Sequence, residues 1–245
     1  MILLQDHLLV IAVIILFTSI IQSVAGFGFS LLAVPLMVLF VDLRQAVIVA
    51  TLLGTVSNFG QAWQLRHHQH RPIAYRFILA SCLGAPFGFA LFKYGNQSAM
   101  KILLGIAVLF GVWMLARGRD LQNAHVSLDW IMGILSGVLL LATSTNGPPI
   151  VFTLQARRLE PDVQRATLNL VFSVTAVFSL CVFAFSGKIH SDELYVALIA
   201  TPLMLIGVYL GIVLRKYINA VAFRRMVLFL LTLGGLSSIA SALVG

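Results

Sequence analysis

Acidic side chains are scarce in this sequence, and none lies in the middle of an apolar run. The chain has 8 Asp and Glu residues in 245. Cation transporters and proton pumps usually keep a carboxylate near the middle of the membrane. The scarcity therefore argues against a cationic substrate, a carboxylate proton relay and an aspartyl intramembrane protease, which needs paired buried aspartates. The eight acids are Asp6, Asp42, Asp120, Asp129, Glu160, Asp162, Asp192 and Glu193.

Cysteine and histidine give no sign of a metal, redox or enzyme site. The two cysteines, Cys82 and Cys181, lie in separate apolar runs, so we predict no disulfide framework and expect both to be buried. No histidine lies in the middle of an apolar run, which argues against a serine-type intramembrane protease. The cluster at 67–70 has no cysteine or acid nearby, which favours a solvated loop over a metal site. We expect no enzyme activity, no metal and no cofactor.

Apolar residues dominate what is present. They make up 60% of the chain, the mean hydropathy is +1.02, and runs of about 20 apolar residues recur, the length that crosses a bilayer. A net charge of +8 would suggest nucleic acid in a soluble protein, but here the basic residues flank the apolar runs, as the positive-inside rule describes. We predict an all-α polytopic protein in a lipid bilayer with no nucleic-acid partner. The N-terminus lacks a basic segment and reads as mature sequence.

Two apolar segments, 8–41 and 128–156, are interrupted by glycine or proline. Their interruptions read Gly26-Phe27-Gly28 and Gly147-Pro148-Pro149. Each is followed by three plain runs, so we predict two repeats of the same plan, 1–119 and 120–245. The six plain spans are predicted at about 45–65, 73–92, 98–116, 163–185, 192–214 and 222–243.

The two halves resemble each other in sequence, which supports the repeats. After a shift of 123 residues, 84–96 lies over 207–219 with six identical residues. Internal repeats are common in secondary transporters. Small residues spaced four apart in these stretches predict close helix packing, either within a protomer or in a homodimer. The four are Gly84, Gly88, Gly207 and Gly211.

The charge distribution favours an inverted orientation of the repeats. If each broken segment enters and returns on one side, 12 Lys and Arg residues lie inside and 4 outside. If each broken segment crosses once, the numbers become 6 and 10. The positive-inside rule favours the first arrangement. We predict two inverted repeats, each a broken re-entrant helical hairpin plus three transmembrane helices, with both termini outside.

The interruptions predict the substrate site. Non-helical backbone at membrane depth is tolerated where it lines a cavity, and two helix N-termini that face each other attract an anion through backbone N–H groups and dipoles. The alternative is that glycine and proline only kink packed helices. The substrate-binding residues predicted at the two tips are Gly26, Phe27, Gly28, Phe29, Ser30, Ser144, Thr145, Asn146, Gly147 and Pro148.

Other polar residues in or beside the spans extend the predicted site. Asn58, Gln61 and Asn169 face the cavity in this interpretation, and Gln22 lies near them in the first broken segment. Such residues also serve as hydrogen-bonded links between helices. Arg165 either attracts anions at the cytoplasmic mouth or anchors its helix at the membrane surface.

Two sequence stretches resemble the paired signatures of the sulfite exporter TauE/SafE family. They are "GFGFSLLAVP" at 26–35, followed by "RQAVIVATL", and "NGPPIVFTLQARRLEPDVQRATLN" at 146–169. The resemblance covers essentially the whole chain, although Phe27 and Phe29 stand where the family often has small residues. It implies a bacterial inner-membrane protein that exports sulfite or an organosulfur anion such as a sulfonate.

From the residues alone we expect a transporter, with an anion as its substrate, working by alternating access. The alternatives are an anion channel, a transporter of a neutral solute and a membrane insertion factor with no flux of its own. Coupling stays open between the membrane potential and a protonated substrate.

Overall fold

A computed structural model of the protein describes residues 7–117, 125–157 and 159–244. The predicted repeat boundary at 119/120 lies outside this part of the chain. So do Arg119 and Arg158 of the charge count, and the acids Asp6 and Asp120. Ten α-helices and one 3₁₀ turn form within the described residues, and no strand occurs among them. The prediction of an all-α polytopic membrane protein is confirmed.

Each half contributes two short-loop hairpin helices followed by three long ones. The first half has α1 (Leu8–Ala25), α2 (Phe29–Met37), α3 (Leu43–Gln64), α4 (Arg71–Tyr94) and α5 (Gln97–Arg117). The second half has α6 (Ser127–Thr143), α7 (Gly147–Ala156), α8 (Pro161–Phe185), α9 (Ser191–Leu214) and α10 (Ala220–Val244). The last three helices of each half cover the six predicted spans.

Seven of the described helices are long and apolar enough to cross a membrane, and one of them is α1. Its 18 residues extend over about 27 Å at 1.5 Å per residue, whereas α2 has only 9 residues. The first broken segment is therefore unequal, with one full-length arm and one short arm. In the second segment the arms have 17 and 10 residues.

The two ends of each broken segment lie side by side. The ring of His7, just before α1, is 5.6 Å from the ring of Phe40, just after α2. Asp129, in the first turn of α6, accepts a hydrogen bond of 2.7 Å from Arg157 Nη2, just after α7. Each segment thus begins and ends at one end of the molecule, and the inverted relation of the two halves stays a prediction.

Glycines allow close packing between helices of the two halves. A Cβ atom on Gly84 of α4 would lie 2.0 Å from the carbonyl oxygen of Ile134 on α6, and one on Gly207 of α9 would lie 2.7 Å from that of Leu16 on α1. The hairpin of each half therefore packs on the second long helix of the other half. The predicted close packing occurs within one chain, and a homodimer stays a prediction.

Basic residues gather at one end of the molecule, which we call the basic end. It includes the turn Arg66–His68, Arg157, Arg165 and Arg215. Asp129 lies there with its side chain completely buried, and it also accepts a hydrogen bond of 2.9 Å from Arg76 Nε. This ion-paired group joins α4, α6 and the end of α7.

The prediction that both cysteines are buried is wrong. Cys181 is exposed and Cys82 is partly exposed. Large apolar side chains are also exposed on the same helices, including Leu83 and Val177. The physical reason is that the outer surface of a membrane protein faces lipid, so an apolar stretch of sequence does not imply burial.

Candidate functional site

The first tip is a two-glycine turn between α1 and α2. Gly26 ends α1 with φ of 83°, and Gly28 precedes α2 with φ of 102°. Residues other than glycine rarely adopt these angles, which is why the turn needs glycine on both sides of Phe27. No side chain caps the N-terminus of α2, so its first backbone N–H groups remain free for a ligand.

The second tip is built with different chemistry. Ser144 ends α6 in the left-handed conformation at φ of 57°, and α7 begins at Gly147. Pro148 and Pro149 occupy the first turn of α7, where their missing N–H groups leave no helical hydrogen bond unmade. No side chain caps α7 either. Its dipole points its positive end at the same region as that of α2.

Both tips line a small cavity of about 40 Å³, and an adjoining cavity of about 20 Å³ shares six of its lining residues. Three residues of α3 and α8 complete its walls, and no acidic side chain is among the described residues that line it. This space holds about one water molecule, so the cavity must widen to hold a larger ligand. The lining residues are Gln22, Phe27, Gly28, Phe29, Ser30, Leu31, Gly54, Asn58, Ser144, Thr145, Asn146, Gly147 and Phe172.

Neutral hydrogen bonds hold the polar walls of this tip cavity in place. Gln22 Nε2 donates to Asn58 Oδ1 at 2.7 Å, and Ser57 Oγ donates to Gln22 Oε1 at 3.1 Å. On the other side, the hydroxyl groups of Thr51 and Ser144 lie 3.0 Å apart. Buried polar groups that are paired in this way fix one arrangement of a cavity wall. The network ties the first tip to α3 and the second tip to the same helix.

The tip cavity has the chemistry of an anion site. Two uncapped helix N-termini place partial positive charge and backbone N–H donors around it. Amide and hydroxyl side chains add donors without a fixed charge. A cation would find no carboxylate among the described lining residues, and the negative dipole end nearest to it is the C-terminus of α6 at Ser144.

A larger cavity of about 330 Å³ opens beside the tip cavity at the basic end. We call it the vestibule. Its walls are mostly apolar, and its charged groups are Arg165 and Arg215, both near the exposed Asp162. The nearest oxygen of Asp162 is 3.7 Å from Arg165 Nη1, and that buried nitrogen makes no hydrogen bond. The lining residues are Val24, Ala25, Phe27, Leu115, Gln155, Arg165, Arg215, Ile218, Phe223, Val227 and Leu228.

Nine of the predicted site residues line the tip cavity, and the others lie around it. Gly26 packs under Arg165, since a Cβ atom there would be 2.7 Å from Arg165 Cγ. Pro148 instead packs against Gly111 of α5. Gln61 donates to Ser57 one turn away from the cavity. The nine are Phe27, Gly28, Phe29, Ser30, Asn58, Ser144, Thr145, Asn146 and Gly147.

Asn169 lies between the two cavities in helical register. It is buried, and neither its amide nitrogen nor its amide oxygen has a hydrogen-bond partner. It follows Arg165 by one turn on α8 and precedes Phe172 of the tip cavity by three residues. Residues three and four apart share a helix face, so Arg165, Asn169 and Phe172 lie along one side of α8.

Sequence analysis missed several residues of the site. Gly54 and Phe172 line the tip cavity, and Gln155 and Arg215 line the vestibule. The sequence did carry a signal for Gly54, because Thr51, Gly54 and Asn58 have the spacing of residues on one face of a helix. Nothing in the sequence brings Gln155 and Arg215 together, since they are sixty positions apart and lie on different helices.

Comparison with known proteins agrees with this architecture. The model of the family described as "Sulfite exporter TauE/SafE" matches residues 11–238. A relative from Cupriavidus necator, named "Probable sulfite/organosulfonate exporter TauE", is 27% identical over 201 residues, which are 78% of this chain and 77% of the relative. Another from Comamonas testosteroni, named "Probable inner membrane transporter protein TsaS", is 32% identical over 161 residues, 63% of this chain and 66% of that relative. No solved structure matches the chain significantly.

The family match covers most of the chain, including both tips and all six long helices that follow them. It confirms the predicted resemblance and the prediction of a transporter rather than an enzyme. The relatives and the apolar helices also confirm a multi-pass protein of the inner membrane. The protein belongs to the sulfite exporter TauE/SafE family of membrane transporters.

Proposed function

We propose that this protein exports sulfite or a related organosulfonate, which binds between the two tips. The observation that carries the proposal is that both interrupted helices line the tip cavity. Two helix N-termini converge on it, and its described walls carry amide and hydroxyl donors but no carboxylate. Such a site favours an anion with several acceptor oxygens. The choice of a sulfur anion rests on the names of the relatives.

The path to the site starts at the basic end, which faces the cytoplasm in this proposal. The positive-inside rule places the arginine-rich end there. Arg165 and Arg215 attract the anion into the vestibule. Asn169, one turn after Arg165 on α8, has a buried amide group without a hydrogen-bond partner, which becomes available if α8 moves. A positive patch raises the local concentration of an anion.

Alternating access follows from the way in which the halves are joined. Each hairpin packs on a long helix of the other half, so movement of one half carries the tip of the other with it. In many transporters one repeat rocks against the other around a fixed site. A negative cell interior drives an anion outward, so the membrane potential alone suffices for export. Entry as a protonated substrate is the alternative coupling.

A flux assay with purified protein in liposomes tests the proposal. We expect saturable sulfite efflux that competes with short sulfonates and speeds up when the interior is made negative. An anion channel would give flux that does not saturate at the sulfite concentrations that saturate a transporter. Absence of flux for every sulfur anion, with folded protein, would contradict the proposed substrate.

A matched pair of variants on α3 tests the position of the site. Asn58→Ala removes a wall of the tip cavity, whereas Gln61→Ala removes a similar side chain one turn away from it. Loss of one hydrogen bond to a charged ligand lowers binding by about tenfold. We therefore expect the half-saturating sulfite concentration to rise about tenfold for Asn58→Ala and to change little for Gln61→Ala. Equal effects would place the substrate elsewhere.

A further inference from the structure

The tip cavity and the vestibule share one side chain. Phe27 is the residue that lines both, and it stands between the two glycines of the first tip. Its ring reaches the opposite tip, because a Cβ atom on Gly147 would lie 4.0 Å from Phe27 Cδ2. The same atom would lie 3.9 Å from Phe172 Cζ. Both aromatic rings therefore lie close to the start of α7.

The sizes of the two cavities indicate the role of Phe27, which lies between them. The vestibule, at about 330 Å³, is large enough for a small organic anion, whereas the tip cavity, at about 40 Å³, is not. An anion that enters from the basic end therefore meets the ring of Phe27 before it reaches the tip cavity. A third cavity, of about 280 Å³, lies at the opposite end near Arg44 and Lys188, and no residue of either tip lines it. Neither of the two larger cavities is lined by both tips, and the tip cavity must widen to hold such an anion.

We propose that Phe27 is the inner gate of the transport path. Its ring separates the vestibule from the tip cavity, and its displacement admits the anion. The flanking glycines lack the side chains that would restrict rotation of the backbone on either side of the ring. Gly28 has open space around it, with nothing within 4 Å of a Cβ atom placed there. The turn can therefore move at that residue without a clash.

The vestibule is linked to the gate by direct contact. The aliphatic part of Arg165 packs on Gly26, the residue before Phe27, at a distance that leaves no room for a Cβ atom. An anion that draws the Arg165 guanidinium into the vestibule therefore acts on a side chain that touches the turn. Loading of the vestibule and movement of the gate share this contact.

The inference rests on the proposed function, and its test uses a reporter that needs no transport. Ser30 lines the tip cavity, so Ser30→Cys places a thiol behind the gate in a chain whose own cysteines are replaced by Cys82→Ala and Cys181→Ala. A membrane-impermeant methanethiosulfonate reagent that carries a sulfonate group is added to inside-out vesicles. The rate at which the thiol forms a mixed disulfide, with release of methanesulfinate, reports access from the basic end.

The gate predicts an ordered series of rates. A closed gate that opens in 10% of molecules or fewer is bypassed when the ring is removed, so Phe27→Ala should speed up modification about tenfold or more. Phe27→Trp keeps a large ring and should not speed it up. Phe223→Ala is the matched control, since Phe223 lines the vestibule but not the tip cavity. We expect it to leave the rate nearly unchanged.

The possible outcomes test the gate at Phe27 independently of the proposed substrate. Equal rates with Phe27 and Phe27→Ala, or equal acceleration by Phe223→Ala, would overturn the gate. If Phe27→Ala does not fold, a slower rate in Phe27→Trp supports the gate, and an unchanged or faster one overturns it.

Arg165→Gln should slow the anionic reagent but not a cationic one, which marks the vestibule as the route. The gate stands if the rates follow this series while no sulfur anion is transported, and only the proposed substrate then fails.

Discussion

Asp129→Asn is expected to lower the unfolding temperature of the protein in detergent by about 6–12 °C, the shift that corresponds to about 3 kcal/mol in a chain of this size. The Asp129 side chain is completely buried and pairs with Arg76 at 2.9 Å and Arg157 at 2.7 Å. Removal of its charge leaves two largely covered guanidinium groups without a counter-ion. Breaking one partner of a buried pair costs far more than the pair itself contributes.

An exposed aspartate at the same end of the molecule is the control for that variant. Asp162 is 58% exposed and lies 3.4 Å from Arg215. Exposed pairs contribute about 0–1 kcal/mol, so Asp162→Asn should shift the unfolding temperature by about 4 °C at most. Thermal unfolding of both variants, followed by fluorescence in the same detergent, checks the difference. Similar shifts would mean that burial does not govern the contribution of Asp129.

The Asp129 cluster also bears on transport, because it holds the second hairpin by both ends. Asp129 stands at the start of α6, Arg157 follows α7, and Arg76 fixes both to α4. At the corresponding place of the first hairpin the rings of His7 and Phe40 meet, and no ion pair joins its two ends among the described residues. The second tip is therefore the more firmly anchored one, which agrees with a moving gate in the first tip.

Gly84→Ala is expected to destabilise the protein by about 3 kcal/mol or more, the upper range for overpacking a close interface. The new Cβ atom would lie 2.0 Å from the carbonyl oxygen of Ile134 and 2.9 Å from its carbonyl carbon. These are backbone atoms of another helix and cannot rotate away. The helices α4 and α6 must separate, which weakens their packing along the whole interface.

A glycine without close neighbours is the matched control. Gly60 lies within α3, and a Cβ atom there would have nothing within 4 Å. Alanine is favoured over glycine in a helix by about 1 kcal/mol, so Gly60→Ala should leave the unfolding temperature unchanged or raise it. Unfolding in detergent distinguishes the two substitutions. A destabilisation by Gly60→Ala as large as that by Gly84→Ala would mean that the contact across α4 and α6 is not the cause.

Much of the architecture could be predicted from local features of the sequence. The lengths of the apolar runs determine the six long helices after the hairpins, since a bilayer of fixed thickness requires helices of fixed length. The interruptions at Gly26 and Pro148 indicate the tips, because neither residue type continues a membrane helix without consequence. Both signals depend on neighbouring residues alone, so one sequence carries them completely.

Contacts between distant residues could not be predicted in the same way. Asp129 appeared as one more acid at the end of a span, and only the fold brings Arg76 and Arg157 to it. The cysteines were expected to be buried because local hydropathy cannot distinguish a side chain that faces lipid from one that faces protein. Gln61 and Asn58 looked equivalent, yet one turn of α3 separates a residue off the cavity from one on its wall.

The sequence by itself therefore determined the membrane class, the two tips and the neutral, acid-free character of the site, since each follows from residue types and their spacing. Only the tertiary structure decided that both tips line the tip cavity, that Phe27 lies between it and the vestibule and that Arg165 contacts the turn before Phe27. The physical reason is that these features depend on distances between helices that lie far apart in the chain. Such distances are set by the packing of all ten described helices together.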